Sequence, residues 1–600
     1  MPLLLNSRTL CGLGALLFLG ACGGGGGYGG SSGTPPPSGG SPPPTQPTFS
    51  VSTPTINFAS GIPNNTPPGR KILAAISGPV TGSLYVRSAT TITNVAVNVD
   101  YASQSGQTPT INVVVTPVAA NLATPGTYTG TVTLTACVDD PTCQTGQLPG
   151  SPQTVNITYS VESDTTFVQG DVVAPRVVVA DQPGTLRIRG RGLSGAMTVR
   201  LGVTAASSVQ VDSLAGDTTV NVSYPALPAG SYPVTINSGG IPFTGTLVVV
   251  SPANYAATTL QYPSTPQEIG GVFFDGQRQA LFVAARYADS QANQLLKFQR
   301  SGSTWLAPVA VSVPSIQDVA LSADGTVLLV VTDKAMMEFD PTALTALGTY
   351  PVLDNLINAG TSYLQSLAVA NDGYAFVTTG GDNPSHEFLY SATRHTFITL
   401  TSATSSPAAS LDPRLYFGNP GVSGDGSLVA ITQDPRSTAQ SPMSSRPFLY
   451  VYSTGGQRSG FAGFRSSTYT DRDRSQFPRS AKPALDRTGS RIVLNGPSTV
   501  VLDRAYGPRG TLPNTSRAVV LKPDASRAYT FDAPNGSDAG TFLTFDLTTS
   551  LTGDAQYSPL DDGIPMTPGN GTGAIAMTIT PDGGTVFVAG VSGIYVQPVP

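Results

Sequence analysis

The chain has 600 residues, more than one hydrophobic core usually supports, so two or three domains are expected. Gly (66) and Pro (52) make up about a fifth of it, charged residues are only 11%, and the formal charge is −5. Turns are therefore plentiful and long polar helix faces are not, and no cationic field is available for nucleic acid. Two histidines and four cysteines leave little material for a multi-ligand transition-metal centre.

The opening residues MPLLLNSRTLCGLGALLFLGAC carry one early positive charge at Arg8, an apolar stretch from Leu10 to Leu19 and small residues up to Cys22. That is the plan of a signal peptide, since a run of about ten apolar residues is half of the roughly twenty a membrane span needs. GGGGGYGG follows instead of a positively charged stop-transfer flank. Leu19-Gly20-Ala21-Cys22 resembles the bacterial lipobox, which implies that Cys22 is the lipidated first residue of a mature chain and that Cys11 leaves with the signal. Gly23, in place of aspartate, resembles an outer-membrane sorting signal and leaves the face of that membrane open. Residues 1–22 are thus read as a lipoprotein signal and 23–46, rich in Gly, Ser and Pro and free of charge, as a disordered spacer holding the folded part off the bilayer.

Alternation with Thr and Val enrichment takes over after the spacer, at Thr55–Phe58, Asn94–Val99, Ile111–Val115, Tyr128–Leu134 and Thr154–Val161. Short strands separated by Pro/Gly/Asn turns over residues 47–163 predict a β-sandwich, and the pattern resembles bacterial immunoglobulin-like or BACON-type modules. Cys137 and Cys143 flank VDDPT in a chain bound for an oxidising compartment, which predicts a local disulfide. In residues 164–252, Gly190, Gly192 and Gly195 match G-x-G-x-x-G, but the residues that follow alternate as a strand, so the helix that would receive a pyrophosphate is missing. The run RIRGRGLSGAMTVRLG with PALPAGSYPVTINSGG resembles an IPT/TIG immunoglobulin-like domain, whose glycines would serve hairpin turns.

Residues 253–600 repeat one phrase, an apolar strand, an Asp/Gly turn and a second apolar strand, as in ALSADGTVLLVVT, GVSGDGSLVAIT and TITPDGGTVFVAG. Seven copies turn at Asp275, Asp324, Asp372, Asp425, Thr488, Asp524 and Asp582, a mean spacing of about 51 residues. The phrase resembles YVTN-type β-propeller repeats and, more distantly, seven-bladed lactonase-like propellers. The last copy stops one strand short of four, and the segment Ala256 to Tyr262 is placed to supply the missing edge strand. The expected fold is therefore all-β, two immunoglobulin-like β-sandwiches followed by a seven-bladed β-propeller.

Chemistry is sparse. His386 and His395 stand nine apart, which is not a metal-ligand spacing within one element, and the recurring aspartates suit hairpin turns better than paired catalytic carboxylates. No catalytic residue, metal site or cofactor is expected. Between the fourth and fifth copies the turn spacing stretches to 63, and the insert places Arg465, Arg472, Arg474, Arg479 and Lys482 among Tyr469 and Phe477. Guanidinium groups beside rings can grip acidic groups or sugar faces, so this insert is the candidate ligand-binding segment. The expected function is a lipid-anchored envelope binding or adhesion protein, held in the membrane through Cys22 and presenting the propeller to a protein or polysaccharide. A lactonase-like hydrolase and a purely architectural stalk stay open beside it.

Overall fold

The structure is a computed structural model that describes residues 46–600 apart from several segments, the longest being 353–361, 400–416, 434–448 and 465–481. The signal sequence, Cys22 and nearly all of the spacer lie outside the described residues, as do Asp372, His386 and the insert up to residue 481. Among the described residues the regular structure is β-strand, with a 3-10 turn at Ser290–Ala292 and no α-helix.

In the first region, Thr55–Gly61 pairs parallel with Gln153–Glu162, which continues antiparallel to Gly126–Val138 and Leu84–Thr90. A second sheet joins Arg70–Ile72, Thr110–Pro117 and Val95–Ala102. Alternate residues of both sheets, such as Val113, Val115, Val132, Leu134, Val155 and Ile157, point into one buried cluster, as a period of two requires. Cys137 and Cys143 are joined as a disulfide with Cα atoms 5.4 Å apart, closing the loop after Gly126–Val138.

The next region repeats the plan with Phe167–Val168, Gly184–Arg191, Thr219–Tyr224 and Ser208–Val211 in one sheet. The other holds Val177–Val179, Thr246–Val250, Gly230–Asn237, Thr198–Leu201 and Thr204–Ala205, around the buried Leu186, Ile188, Leu201, Val222 and Leu247. Gly190 lies inside the strand Gly184–Arg191, and Gly195 has no left-handed φ. Gly192 lies outside the described residues, and a left-handed turn glycine of this region is Gly202, at φ 59° between Thr198–Leu201 and Thr204–Ala205. The helix needed for a dinucleotide site is absent here, because Thr198–Leu201 is a strand.

From Thr258 onward the described strands form seven sheets. Their first strands are Glu268–Asp275, Ile316–Leu321, Ser362–Val369, Phe417–Val422, Ala484–Leu485, Ser516–Leu521 and Ala576–Ile579. Each first strand touches the first strand of the following sheet, and Ala576–Ile579 returns to Glu268–Asp275, so the seven sheets run in a ring with these strands innermost. Glycines permit the approach, since a Cβ at Gly271 would collide with Asp318 and one at Gly421 with the Pro483 carbonyl. Thr258–Leu260 pairs antiparallel with Gly593–Pro598 and completes the last sheet, as the segment Ala256 to Tyr262 suggested. Phe274, Phe587, Tyr255 and Trp305 pack where the two ends of this region meet.

The Asp/Gly turns follow one design. The carboxylates of Asp324, Asp425, Asp524 and Asp582 each accept the backbone N–H two residues on, while Gly325, Gly426, Ala525 and Gly583 take φ between 62° and 72°. In the fifth copy Thr488 stands at the aspartate position, and the carboxylate two residues earlier, Asp486, accepts instead from Thr488 N–H and Arg491 N–H. Two other turn aspartates, Asp140 and Asp546, are lowered from the ordinary carboxylate value, Asp140 strongly, first by the hydroxyls of Thr142 and Thr548 and then by backbone N–H groups.

Two predictions follow from this architecture. Leu260→Ala, which empties a buried position of the closing strand, should lower stability by about 2–4 kcal/mol, whereas Val309→Ala on an exposed outer strand should change it little; chemical denaturation compares them. Because Asp140 and Asp546 titrate lower in the folded than in the unfolded chain, their contribution is present above about pH 4 and is lost as pH falls through the folded values. Thermal melts of the unaltered chain and of a D140N/D546N double variant should therefore differ at neutral pH and converge in acid; a gap that widens in acid would contradict it.

Candidate functional site

One end of the ring is closed by its own turns and by the second sandwich-like region. Turns hydrogen-bond to their neighbours, Arg278 to the Gly325 carbonyl, Asn371 N–H to the Gly426 carbonyl, Asp425 N–H to the Arg487 carbonyl, and Arg487 N–H to the Pro523 carbonyl. Onto them docks Arg187, which donates to Ser427 Oγ at 2.8 Å and lies 3.5 Å from the Asp425 carboxylate, both side chains being almost fully buried. Arg176 reaches Gln277 and lies against Gly325, where a Cβ would collide with its guanidinium. Burial pulls Arg176 below the usual arginine range, and the carboxylates of Asp275 and Asp324 oppose that pull. The Ala253 N–H donates to Asp582 at 2.7 Å. These contacts reach the first, second, fourth and seventh sheets, so this end is spanned by protein.

The opposite end is where the first strands begin. Several carry a bulge there, between Ile269 and Gly271, Ile316 and Asp318, Leu364 and Ser366, and Ser516 and Ala518. An extra residue at this place bends the strand and re-aims its side chains. The result centres on Asp318, whose side chain is 1% exposed. Its Oδ1 accepts the Val319 N–H at 2.9 Å; its Oδ2 accepts Ser366 Oγ at 2.7 Å and the Leu367 N–H at 2.9 Å. The Lys482 ammonium, from the start of the fifth sheet, completes the set at 2.5 Å from Oδ2. One carboxylate thus ties together the second, third and fifth sheets and lies against Gly271 of the first. Gln317, on the bulge, donates to the Ser315 carbonyl while its buried Oε1 has no partner among the described residues.

Of the insert residues singled out from sequence, Lys482 is brought to this carboxylate, and Arg465, Tyr469, Arg472, Arg474, Phe477 and Arg479 lie outside the described residues. Asp318, Ser366 and Gln317 were not anticipated, although a signal exists. The residue after the first sheet's bulge is Gly271, and six residues before the turn position, where Asp318 stands in the second copy, the later copies carry Ser366, Asn419, Lys482, Ala518 and Ala576. An acidic residue at this place in the second copy and a basic one at the same place in the fifth are the signal, and the repeat phrase as read from sequence begins only two residues later.

His395 serves elsewhere. Its ring stacks on Tyr350 with centroids 4.3 Å apart, and its Nδ1 lies 3.3 Å from Glu338, a fully buried carboxylate that also accepts the Tyr390 hydroxyl at 3.0 Å. Burial, and then the Glu338 charge, pushes the Tyr390 phenol far above its ordinary range. The group braces the second sheet against the third. Among the described residues no cluster of three His, Cys, Asp or Glu side chains could hold a metal ion, and no helix is long and apolar enough to cross a membrane.

No family model and no curated protein matches the chain. Solved structures similar to it include the β-propeller domain of Myceliophteria thermophila Cps50 (Swd1), at 10% identity and TM-score 0.39 over 57% of this chain and all of that one. Kuenenia stuttgartiensis hydrazine synthase is similar at 13% identity and TM-score 0.37, over 57% of this chain and 98% of that one. The chain is all-β and carries a β-propeller, an assignment that rests on the ring of antiparallel sheets joined through their first strands.

Asp318→Ala leaves the Val319 and Leu367 N–H groups and the Ser366 hydroxyl without an acceptor, so it should cost about 3 kcal/mol or more, with Asp318→Asn costing roughly half of that. Urea unfolding of the two variants checks both the size and the order; equal stability with the unaltered chain would remove Asp318 from its central role.

Proposed function

We propose that the chain is a lipid-anchored cell-envelope binding protein, in which two immunoglobulin-like sandwiches, residues 47–163 and 164–252, carry a seven-bladed propeller, residues 253–600. Each of the seven sheets is one blade, and Thr258–Leu260 closes the last of them. Acylation of Cys22 and the spacer to residue 46 would tether this body to the outer membrane, and the Cys137–Cys143 bond suits an oxidising compartment. The observation that carries the reading is the occupied end of the ring: with the second sandwich spanning the turns through Arg187 and Arg176, the Asp318 end and the adjoining insert are left for a protein or polysaccharide partner. Loops on a rigid scaffold are where binding residues are commonly placed. A hydrolase would need an acid–base pair or a metal at that end, whereas Asp318 is engaged by four donors.

Cys22→Ala should move the protein from the membrane pellet to the soluble fraction. Replacing residues 465–481 by a short Gly/Ser linker, or replacing Gln365, the extra residue of the third sheet's bulge between Leu364 and Ser366, by Arg, should abolish retention of envelope proteins or glycans on the full chain without lowering its melting temperature. Val203→Arg, at the exposed tip of the second sandwich, should leave retention intact. Loss of retention with Val203→Arg alone would assign binding to the sandwich and overturn the reading.

A further inference from the structure

Lys482 and Asp318 come from first-strand segments with two sheets between them on the ring, so the lysine side chain reaches over the mouth of the ring to a carboxylate on another sheet. The two partners differ in character. Asp318 is held by three donors that belong to the sheets, Val319 N–H, Ser366 Oγ and Leu367 N–H, and those remain whether or not the lysine is present. Lys482 stands at the edge of the candidate insert, ahead of the two-residue strand Ala484–Leu485, and its side chain is 39% exposed. The anion is preformed and the cation is replaceable.

We propose that Lys482 is a built-in placeholder in a site for the side-chain ammonium of a lysine presented by a partner protein. This rests on the reading of the Asp318 end as the binding end and names the chemistry it recognises. A carboxylate so buried needs a cation, so departure of Lys482 is costly unless another ammonium takes its place, and exchange of like for like is nearly balanced. Lysine fits better than arginine because only Oδ2 faces the incoming cation. Oδ1 accepts the Val319 N–H and lies against Gly271, so a guanidinium fork would find one of its two acceptors occupied. A long, slender arm is also what the present occupant uses to reach a carboxylate 1% exposed, whereas the ammonium of an amino sugar sits directly on a ring too broad for that path. On the residue preceding Asp318 in the bulge, Gln317 Oε1 is a second buried acceptor with no partner among the described residues.

The test reads Lys482 on the unaltered full chain. Its acetylation rate, followed by mass spectrometry, should rise several-fold when acetyl-Gly-Gly-Lys-Gly-Gly-amide is added in excess, and not with the norleucine analogue. By fluorescence polarisation, Lys482→Gln should bind the labelled lysine peptide about tenfold tighter than the unaltered chain, because the competing arm is gone. Adding Asp318→Asn should abolish that gain. Unchanged Lys482 reactivity overturns the proposal, as does an equal response to the arginine peptide or to an amino-sugar oligomer. Loss of lysine-peptide exchange while envelope partners are still retained at the open end would sink the ligand class alone. Exchange that persists when the open-end variants leave retention untouched would sink the reading of the face and keep the ammonium site.

Discussion

A ring of sheets holds only if its last edge meets its first, and here the two ends of the region meet in one sheet. Thr258–Leu260 lies antiparallel to Gly593–Pro598, so the final sheet contains strands from both termini of the ring. An edge left open there would expose unpaired backbone groups and interrupt the apolar layer between the last sheet and the first. The aromatic packing of Tyr255, Phe274, Trp305 and Phe587 fills that junction, and it joins residues more than three hundred positions apart in the sequence. Everything at the axis, the crowded first strands and the carboxylate among them, presupposes this closure.

Closure also gives the ring two unlike ends. At the turn end, the left-handed residues Gly325, Gly426, Ala525 and Gly583 make tight corners that bring neighbouring loops within hydrogen-bonding reach, and a buried arginine from the preceding region locks onto them. At the strand-start end, bulges push side chains toward the axis, and a single acidic group collects donors from three sheets. A docked region at one end and a charged, partly solvated pair at the other make the two ends chemically unlike.

The strand pattern was largely legible in the chain. Alternation located the strands of the first region, the Asp/Gly phrase located the first-to-second strand turns that lie among the described residues, and the shortfall of the last copy pointed to the closing strand. These are local signals, since period two, a turn aspartate and a left-handed glycine act within a few residues. His395 packs on Tyr350 and Glu338, and Gly190 runs through a strand, placements that spacing along the chain does not reveal.

The sequence by itself determined where strands and turns fall, how many times the phrase recurs, and that charge is scarce, because each of these depends on neighbours in the chain. Only the tertiary structure decided that Asp318 and Lys482, which stand 164 positions apart, share a bond, and that Arg187 closes on Asp425. The register of one sheet against the next around the axis sets those distances. No local pattern encodes it, because it is fixed by the ring as a whole.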